Sequence, residues 1–373
     1  MAYIDAERLE VFAQRMLEQP GTPSDIAAQV AKSLVGANLR GHDSHGVRLI
    51  PAYLAKTEGD KEALGTPFTI DAEARPSVDL DTESFVVIDG QSAFGQFTAS
   101  KAADSAIERA EDRGVGMVGI RNATHIGRVG EWAERVTDAG MAFLALVSMQ
   151  GQTEMVAFPG SGQGRIATNP VAFGIPSFDA LPFPVVLDMA TSQVAFGKVL
   201  ERHATGESLP EEWTVGPDGA PVTDPDAMIA GDGALLPLGG RTAGYKGFGL
   251  SLITELFAAV VGGGDVLGQP DTTPGNAAMF VAIDVTELRS VEEIENQVSG
   301  LVEYVRSTRY DDDVPSGVAA YGDCALVPGE AEHLSQEDRL ANGIPVPDSE
   351  ATLLREAAAD HGVGDAVPES LRE

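Results

Sequence analysis

Apolar residues recur along this chain with helical and strand periods, and their alternation outlines its architecture. Over residues 5–18, Leu9, Phe12, Met16 and Leu17 fall on one side of a helix. Thr22-Pro23-Ser24-Asp25 predicts the start of a second: threonine can cap, proline fits the first helical position and the early aspartate suits the dipole. That helix runs towards Arg40 and is expected to stop at Gly41. The run from Phe85 to Gly90 reads as a strand, and residues 98–112 as a helix with Ala103, Ile107 and Ala110 on one face. A helix from Gly130 to Ala139 precedes the β-like run Met141 to Met149. Val171 to Pro176 and Pro184 to Asp188 are short strands. Residues 201–240, rich in Gly, Pro and Asp, read as a long loop. Gly244-Tyr245-Lys246-Gly247-Phe248-Gly249 opens an apolar helix, Leu250 to Val261, and Ala277 to Asp284 is β-like. After Asp311-Asp312-Asp313 the chain is loop-rich, with short helices near 335–342 and 349–361. Strands and helices alternate, which predicts the α/β class.

Gly114-Val115-Gly116-Met117-Val118-Gly119 has the spacing of a dinucleotide-binding glycine loop. Such a loop must follow a strand and open a helix. Here a helix precedes it and a β-like run, Met117 to Ile120, follows. Gly114 is therefore read as a helix C-cap, and the Rossmann reading is rejected.

Composition changes the picture in one respect. The chain has 373 residues, room for a large core and two domains, and its 43% hydrophobic content is ordinary. Its net charge of −32 is not: 57 acidic residues face 25 basic ones, of which six are lysine. The acid excess is spread along the chain, and the apolar content is that of a folded protein. A uniformly acidic surface suits a salt-filled cytoplasm, where screening removes self-repulsion. The charge argues against nucleic acid and anionic membranes as partners. The one cysteine, Cys324, allows no internal disulfide and no cysteine-based metal cluster. No apolar run reaches the ~18 residues of a membrane span, and the N-terminus lacks a signal-peptide pattern. The expectation is a soluble, cytoplasmic protein.

Chemistry concentrates in two polar turns. Asp43-Ser44-His45-Gly46 stands where the second helix stops, and His125 lies in Asn122-Ala123-Thr124-His125-Ile126-Gly127-Arg128. A lone histidine is more often structural, but two in such turns suggest proton transfer at a site assembled from distant segments. Asp188 closes an apolar strand, where α/β proteins place ligands, and a carboxylate there can orient a histidine. Thr191 and Ser192 can donate to phosphate oxygens; the plain alternative is that all three serve a helix start. Lys246 stands at the head of a helix, where backbone N–H groups already favour anions; the alternative is a solvated turn lysine. Ser44, His45 and Asp188 suggest a hydrolase triad, yet no Gly-x-Ser-x-Gly elbow is present. His203, His333 and His361 show no metal spacing, so no metal is expected.

Taken together, Gly41-His42-Asp43-Ser44-His45-Gly46, Asn122-x-x-His125-x-Gly127, Thr168-Asn169-Pro170, Asp188-Met189-Ala190-Thr191-Ser192 and Gly244-Tyr245-Lys246-Gly247 resemble the malate/L-lactate dehydrogenase family. Pro328-Gly329-Glu330 and Gly343-Ile344-Pro345 extend the resemblance to the C-terminal region. It implies an α/β, non-Rossmann fold, with residues 1–72 and 245–373 as a helical, dimerising part and 73–244 as the NAD(P)-binding part. It implies hydride transfer between NAD or NADP and a small 2-oxo or L-2-hydroxy acid, in a homodimer. His45 and His125 both match positions given the proton-transfer role. Ser148, Thr168, Asn169, Asp188, Met189, Ala190, Thr191, Ser192, Lys246 and Gly247 would line the cofactor site, and Ser44 the substrate. Many members place an arginine five residues after the motif serine. Here that position is Leu49 and the arginine is Arg48, so Arg48 and Arg128 compete as carboxylate clamps. The alternatives are a cyclic-imine acid reductase and a non-catalytic NAD(P)-binding protein.

The acidic composition carries its own test. The melting temperature is expected to rise from dilute buffer to molar KCl. Equal melting temperatures in both would remove the halophilic reading.

Overall fold

The computed structural model describes residues 1–151, 154–269, 272–307, 320–321 and 324–372. Asp311-Asp312-Asp313 lies outside them. The first half runs β1 (Ala2–Ile4), α1 (Ala6–Leu17), α2 (Ser24–Leu39), α3 (Ile50–Thr57), β2 (Ser77–Asp81), β3 (Val86–Asp89), α4 (Gly95–Arg113), β4 (Val115–Ala123), α5 (Val129–Asp138), β5 (Met141–Gln150), β6 (Val156–Ala157), β7 (Gly164–Ile166), β8 (Val171–Ile175) and β9 (Val185–Met189). The second runs α6 (Phe196–Thr205), β10 (Thr214–Val215), α7 (Pro225–Ile229), β11 (Ala234–Leu235), α8 (Gly240–Leu256), β12 (Gly275–Asp284), α9 (Val291–Arg306), β13 (Ala320–Tyr321), β14 (Cys324–Ala325), α10 (Glu330–Asn342), β15 (Ile344–Val346), α11 (Asp348–Asp360) and α12 (Glu369–Arg372).

Helices from both chain ends share one core. Leu9, Phe12 and Met16 of α1 and Ile26, Val30 and Leu34 of α2 pack with Tyr53 and Leu54 of α3 and Leu354 of α11. β1 pairs antiparallel with β15, Ala2 opposite Val346, which ties the N-terminal strand to a segment near the other end. The α2 start differs from expectation. Pro23 itself occupies the cap position, and no side chain caps the helix, so Thr22 plays no such part.

A second core lies on a seven-stranded sheet of order β2-β3-β4-β12-β5-β8-β9. Only β3 and β4, joined through α4, are parallel; every other neighbouring pair is antiparallel. α4 and α5 cover one face, with Ala103, Ala106 and Trp132 against Val118, Ile120, Phe143 and Phe280. On the other face Leu250 of α8 meets Leu146, Val171 and Met279. β12 sits between β4 and β5, at the middle of this sheet. The expected division at residue 245 is thereby corrected, since a strand that late in the chain is central to the sheet layer. The expected loop over 201–240 also carries structure. β10 and β11 join β6 and β7 in a four-stranded sheet, packed through Val156, Ile166 and Leu235 on Val199 of α6. Two-residue strands are too short for periodicity to reveal.

The glycine run at 114–119 serves packing. Gly114 adopts φ +78° and closes α4 by donating to the Ala110 carbonyl. A Cβ on Gly116 would strike the Ala106 carbonyl in α4, and one on Gly119 would strike the Gly262 carbonyl on the opposite face. Both glycines therefore let main chain approach β4 closely, one from each side.

α8 continues through a π-helical turn, Phe257–Val261. The combined helix, Gly240–Val261, has 22 residues and by length and composition alone could span a bilayer. It lies along the sheet instead. Leu252, Ile253, Leu256, Phe257 and Val260 remain exposed on its outer side, as do Phe173, Ile175 and Leu187 on the sheet edge.

Candidate active site

The site begins where α2 ends. Gly41, at φ +80°, turns the chain into a single 3₁₀ turn, Asp43–His45. Asn38, buried in the last turn of α2, organises it: its Nδ2 donates to Asp43 Oδ1 at 2.6 Å and its Oδ1 accepts from the Val47 amide at 2.9 Å. Arg339 of α10 grips the Asp43 carboxylate with both terminal nitrogens, at 2.6 and 3.0 Å, and also donates to the Asn38 carbonyl. A Cβ on Gly46 would collide with the Asn38 amide, which is why glycine follows the histidine. His42 Nε2 lies 3.1 Å from Glu332 Oε1, a further contact with α10. Asp43 thus faces an arginine and holds the turn.

His45 and His125 meet at a cleft of about 150 Å³ whose lining also includes Ser44, Leu49, Thr66, Phe68, Gln150 and Asn276. Their rings stack with centroids 5.6 Å apart and planes 26° apart. Ser44 Oγ lies 3.1 Å from His45 Nδ1. Gln96 Nε2 donates to the Tyr53 hydroxyl oxygen at 2.7 Å, and that hydroxyl lies 2.7 Å from His125 Nδ1. With its oxygen accepting from Gln96, Tyr53 is free to donate to Nδ1. In that tautomer Nε2 carries the proton; in the other, the Tyr53 oxygen accepts from Nδ1–H and Nε2 is free to take a proton. The turn itself is fixed by Asn276, whose Oδ1 accepts from the Ile126 amide at 3.0 Å and whose Nδ2 donates to the Ser148 carbonyl at 3.1 Å.

Burial governs the electrostatics. Loss of hydration, with His125, His42 and Arg128 adding like charge, pulls His45 from 6.5 down to about 3. Loss of hydration alone brings His125 to about 4. It also holds the Tyr53 phenol well above its ordinary value. An imidazole kept neutral this way can accept a hydroxyl proton. A carboxylate bound beside it would raise its pKa and let it hold the proton for the reverse step.

Three expected members of the site stand elsewhere. Asp188 shares the face of β9 that Val186 turns towards α5, and its Oδ2 accepts the Gly130 amide at 2.6 Å. It therefore supports the start of α5 rather than orienting His45 or His125. Burial raises its pKa and neighbouring Arg128 counters that. Arg128 is 5% exposed and donates to Glu134 at 2.6 Å, an acid it shares with Arg40 at 3.0 Å. Arg48 turns to Glu350, 3.7 Å away, while its neighbour Leu49 lines the cleft. The reason is the 3₁₀ turn Val47–Leu49, which points adjacent side chains in different directions.

The other motif residues form one hydrogen-bonded knot beside the sheet. The Thr191 amide and hydroxyl both donate to the Thr168 carbonyl at 2.9 Å, and the Ser192 hydroxyl to the Val194 carbonyl at 2.7 Å. These hydroxyls are turned inward, and the helix that follows begins only at Phe196. Asn169, at φ +29°, donates to Glu255 at 2.9 Å and to the Ser251 carbonyl at 3.2 Å, joining the knot to α8. Gly247 donates to the Leu238 carbonyl, and a Cβ there would strike Leu238. Met189 packs beside Leu146, Val171 and Met279, and Ala190 is half-buried.

The residues present fit a nicotinamide cofactor. At or beside the cleft, Ser148 Oγ and Gln150 Oε1 are buried without a hydrogen-bond partner among the described residues. Lys246 is exposed just after the non-helical break at Ala243, with no ion pair among the described residues. No group of three metal-ligating side chains occurs among the described residues.

Sequence reasoning missed Gln96, Asn276 and Thr66, and did not see Tyr53 as a partner of His125. The available signal was a polar residue inside an apolar run. Gln96 stands between Gly95 and Phe97, and Asn276 directly precedes Ala277-Ala278.

Residues 4–355 match the family described as malate/L-lactate dehydrogenase. The chain is 32% identical over 365 residues to hydroxycarboxylate dehydrogenase B of Escherichia coli K12, covering 96% of this chain and 94% of that protein. Malate dehydrogenase from Entamoeba histolytica has a similar structure, with TM-score 0.85, 26% identity and coverage of 97% and 98% of the two chains. Δ1-piperideine-2-carboxylate reductase from Pseudomonas syringae pvar. tomato follows with TM-score 0.78, 27% identity and coverage of 96% and 100%.

Histidines held neutral by lost hydration make stability depend on pH. An unfolded imidazole protonates near 6.5, while the folded His45 and His125 resist until about 3 and about 4. As pH falls below 6.5 the unfolded state binds more protons, so the folded state loses stability across that window and gains no slope from these groups above it. Urea unfolding at fixed KCl should show a shallower fall between pH 6.5 and 4 for His45→Gln than for wild type. Equal slopes would contradict a neutral His45.

Proposed function

The chain belongs to the malate/L-lactate dehydrogenase family, and on that premise we propose that its two-histidine cleft interconverts a 2-oxo acid and the corresponding L-2-hydroxy acid. The proteins it resembles include dehydrogenases of hydroxy acids, so the chain is an oxidoreductase that uses a nicotinamide cofactor. The observation that carries the finer reading is the stacking of His45 on His125 at one cleft. When bound, NAD or NADP supplies or accepts the hydride at C2 of the acid.

The protein's part is binding, orientation and proton transfer. Ser148, Gln150 and Lys246 would hold the cofactor. Thr168, Asn169, Thr191 and Gly247 support that surface through their hydrogen-bonded knot. His125, set by Tyr53 and Gln96, gives or takes the proton of the C2 oxygen through Nε2. His45, fixed by Ser44, is the second acid–base group and the wall against which His125 rests. A cyclic-imine acid is the second reading, supported by the likeness to the piperideine-carboxylate reductase. It needs the same histidine pair acting on a C=N bond.

The test is oxidation of NADH and NADPH in molar KCl with pyruvate, oxaloacetate, sulfopyruvate, phenylpyruvate and a cyclic imine acid. Turnover is expected with a 2-oxo acid. His125→Asn or His45→Asn should lower kcat about 100-fold or more, the usual contribution of general acid–base catalysis. If both variants stay within a few-fold of wild type, the proton-transfer assignment fails. Cofactor binding with no histidine-dependent turnover would instead support a non-catalytic binding protein.

The acidic surface supports a cytoplasmic enzyme without nucleic-acid or membrane partners. We propose a homodimer through the outer side of α8. Leu252, Ile253, Leu256, Phe257 and Val260 are exposed there, and the only acid in the helix, Glu255, is buried. Two copies can therefore bring these faces together without opposing carboxylates, as an isologous contact requires. Light scattering in molar KCl should report a dimer for wild type and a monomer for Val260→Glu. A monomeric wild type would exclude it.

A further inference from the structure

The cleft's walls say more about the substrate than its floor does. Leu49, Pro67, Phe68, Met155, Phe196 and Leu200 form an apolar surface around the two histidines. Among the described residues that line it, none is a lysine or an arginine. The nearby cations are committed elsewhere: Arg48 to Glu350, Arg128 to Glu134. Lys56 is fully buried behind the wall, where its Nζ lies 4.6 Å from the Phe68 ring centroid. That ammonium donates to the carbonyls of Lys61 and Thr66, fixing the segment that presents Thr66, Pro67 and Phe68. The apolar wall is thus braced from behind.

The polar groups suffice for one carboxylate and one oxo oxygen. Ser44, the two histidines and Thr66, whose buried Oγ1 has no hydrogen-bond partner among the described residues, can serve a single 2-oxo acid head. A second anionic group on the substrate would meet Leu49 and Phe68, losing hydration without a counter-charge. An alkyl or aryl group would gain from the same surface.

Resting on the proposed 2-oxo acid chemistry, we propose that this cleft prefers 2-oxo acids with an apolar alkyl or aryl side chain over dicarboxylic ones. Leu49 sets the preference by presenting a hydrocarbon where an arginine would offer charge. The step is unchanged: hydride to C2, proton to its oxygen, and an oxidised cofactor as the second product.

The test compares kcat/KM for phenylpyruvate, 2-oxo-4-methylpentanoate and oxaloacetate in wild type, Leu49→Arg and Leu49→Ala, in molar KCl with the cofactor that works. Wild type should favour the two apolar acids about tenfold or more, a discrimination within reach of an apolar pocket. Leu49→Arg should move the ratio about tenfold towards oxaloacetate, and Leu49→Ala should not. A wild-type preference for oxaloacetate overturns the inference while the reaction class stands. An unchanged ratio in folded Leu49→Arg removes Leu49 from the role. Folded wild type that reduces none of the three, yet turns over a cyclic imine acid or nothing at all, overturns the underlying reading instead.

Discussion

The grip of Arg339 on Asp43 is the interaction on which the site depends. It joins α10 to the turn carrying His45, and Asn38 closes the arrangement by bonding Asp43 and the Val47 amide at once. Arg339 is largely buried while the Asp43 carboxylate keeps 36% of its side-chain exposure, so the pair matters more for placing the turn than for burying charge. Gly46 is a consequence of the same packing, since only a residue without Cβ passes the Asn38 amide. What looks in sequence like one functional cluster divides in two: Ser44 and His45 face the cleft, while Asp43 and Gly46 hold them there.

The cleft lies where the two cores meet, and polar groups cross that seam. Tyr53 belongs to the helical core, yet its hydroxyl contacts His125 on the sheet side. Ser33 of α2 donates to Glu131 of α5 at 2.6 Å, and burial pushes that carboxyl up to about 7. Packing at this seam strips hydration from both imidazoles and so favours their neutral forms. It also couples histidine geometry to the docking of one core on the other.

Much of this was legible in the sequence. The helical period over 5–18, the stop at Gly41 and the C-cap at Gly114 are local signals, and each appears where local chemistry places it. Rejection of the glycine loop rested on element order, and β4 follows α4 as that argument requires. The two histidines were also identifiable from their turns, and the fold brings them together. Side-chain direction was not legible. Arg48 and Leu49 are adjacent, and only the 3₁₀ turn decides which reaches the cleft. Asp188 faces α5 because strand parity puts it on the side of Val186, a matter of register that the sequence alone leaves open. The central place of β12 is non-local pairing, which no window of neighbouring residues contains.

The clamp also bears on how the protein is made. Arg339 lies 296 residues beyond Asp43. β15, which pairs with the first strand, follows it. On the ribosome the Asp43–His45 turn emerges well before its arginine, which follows only after 296 further residues have been synthesised. The sheet and its helices can collapse before then, but the histidine pair cannot be set. The geometry of the histidine cleft is therefore completed late, and a nascent or truncated chain lacking α10 carries the motif residues without the clamp that places them.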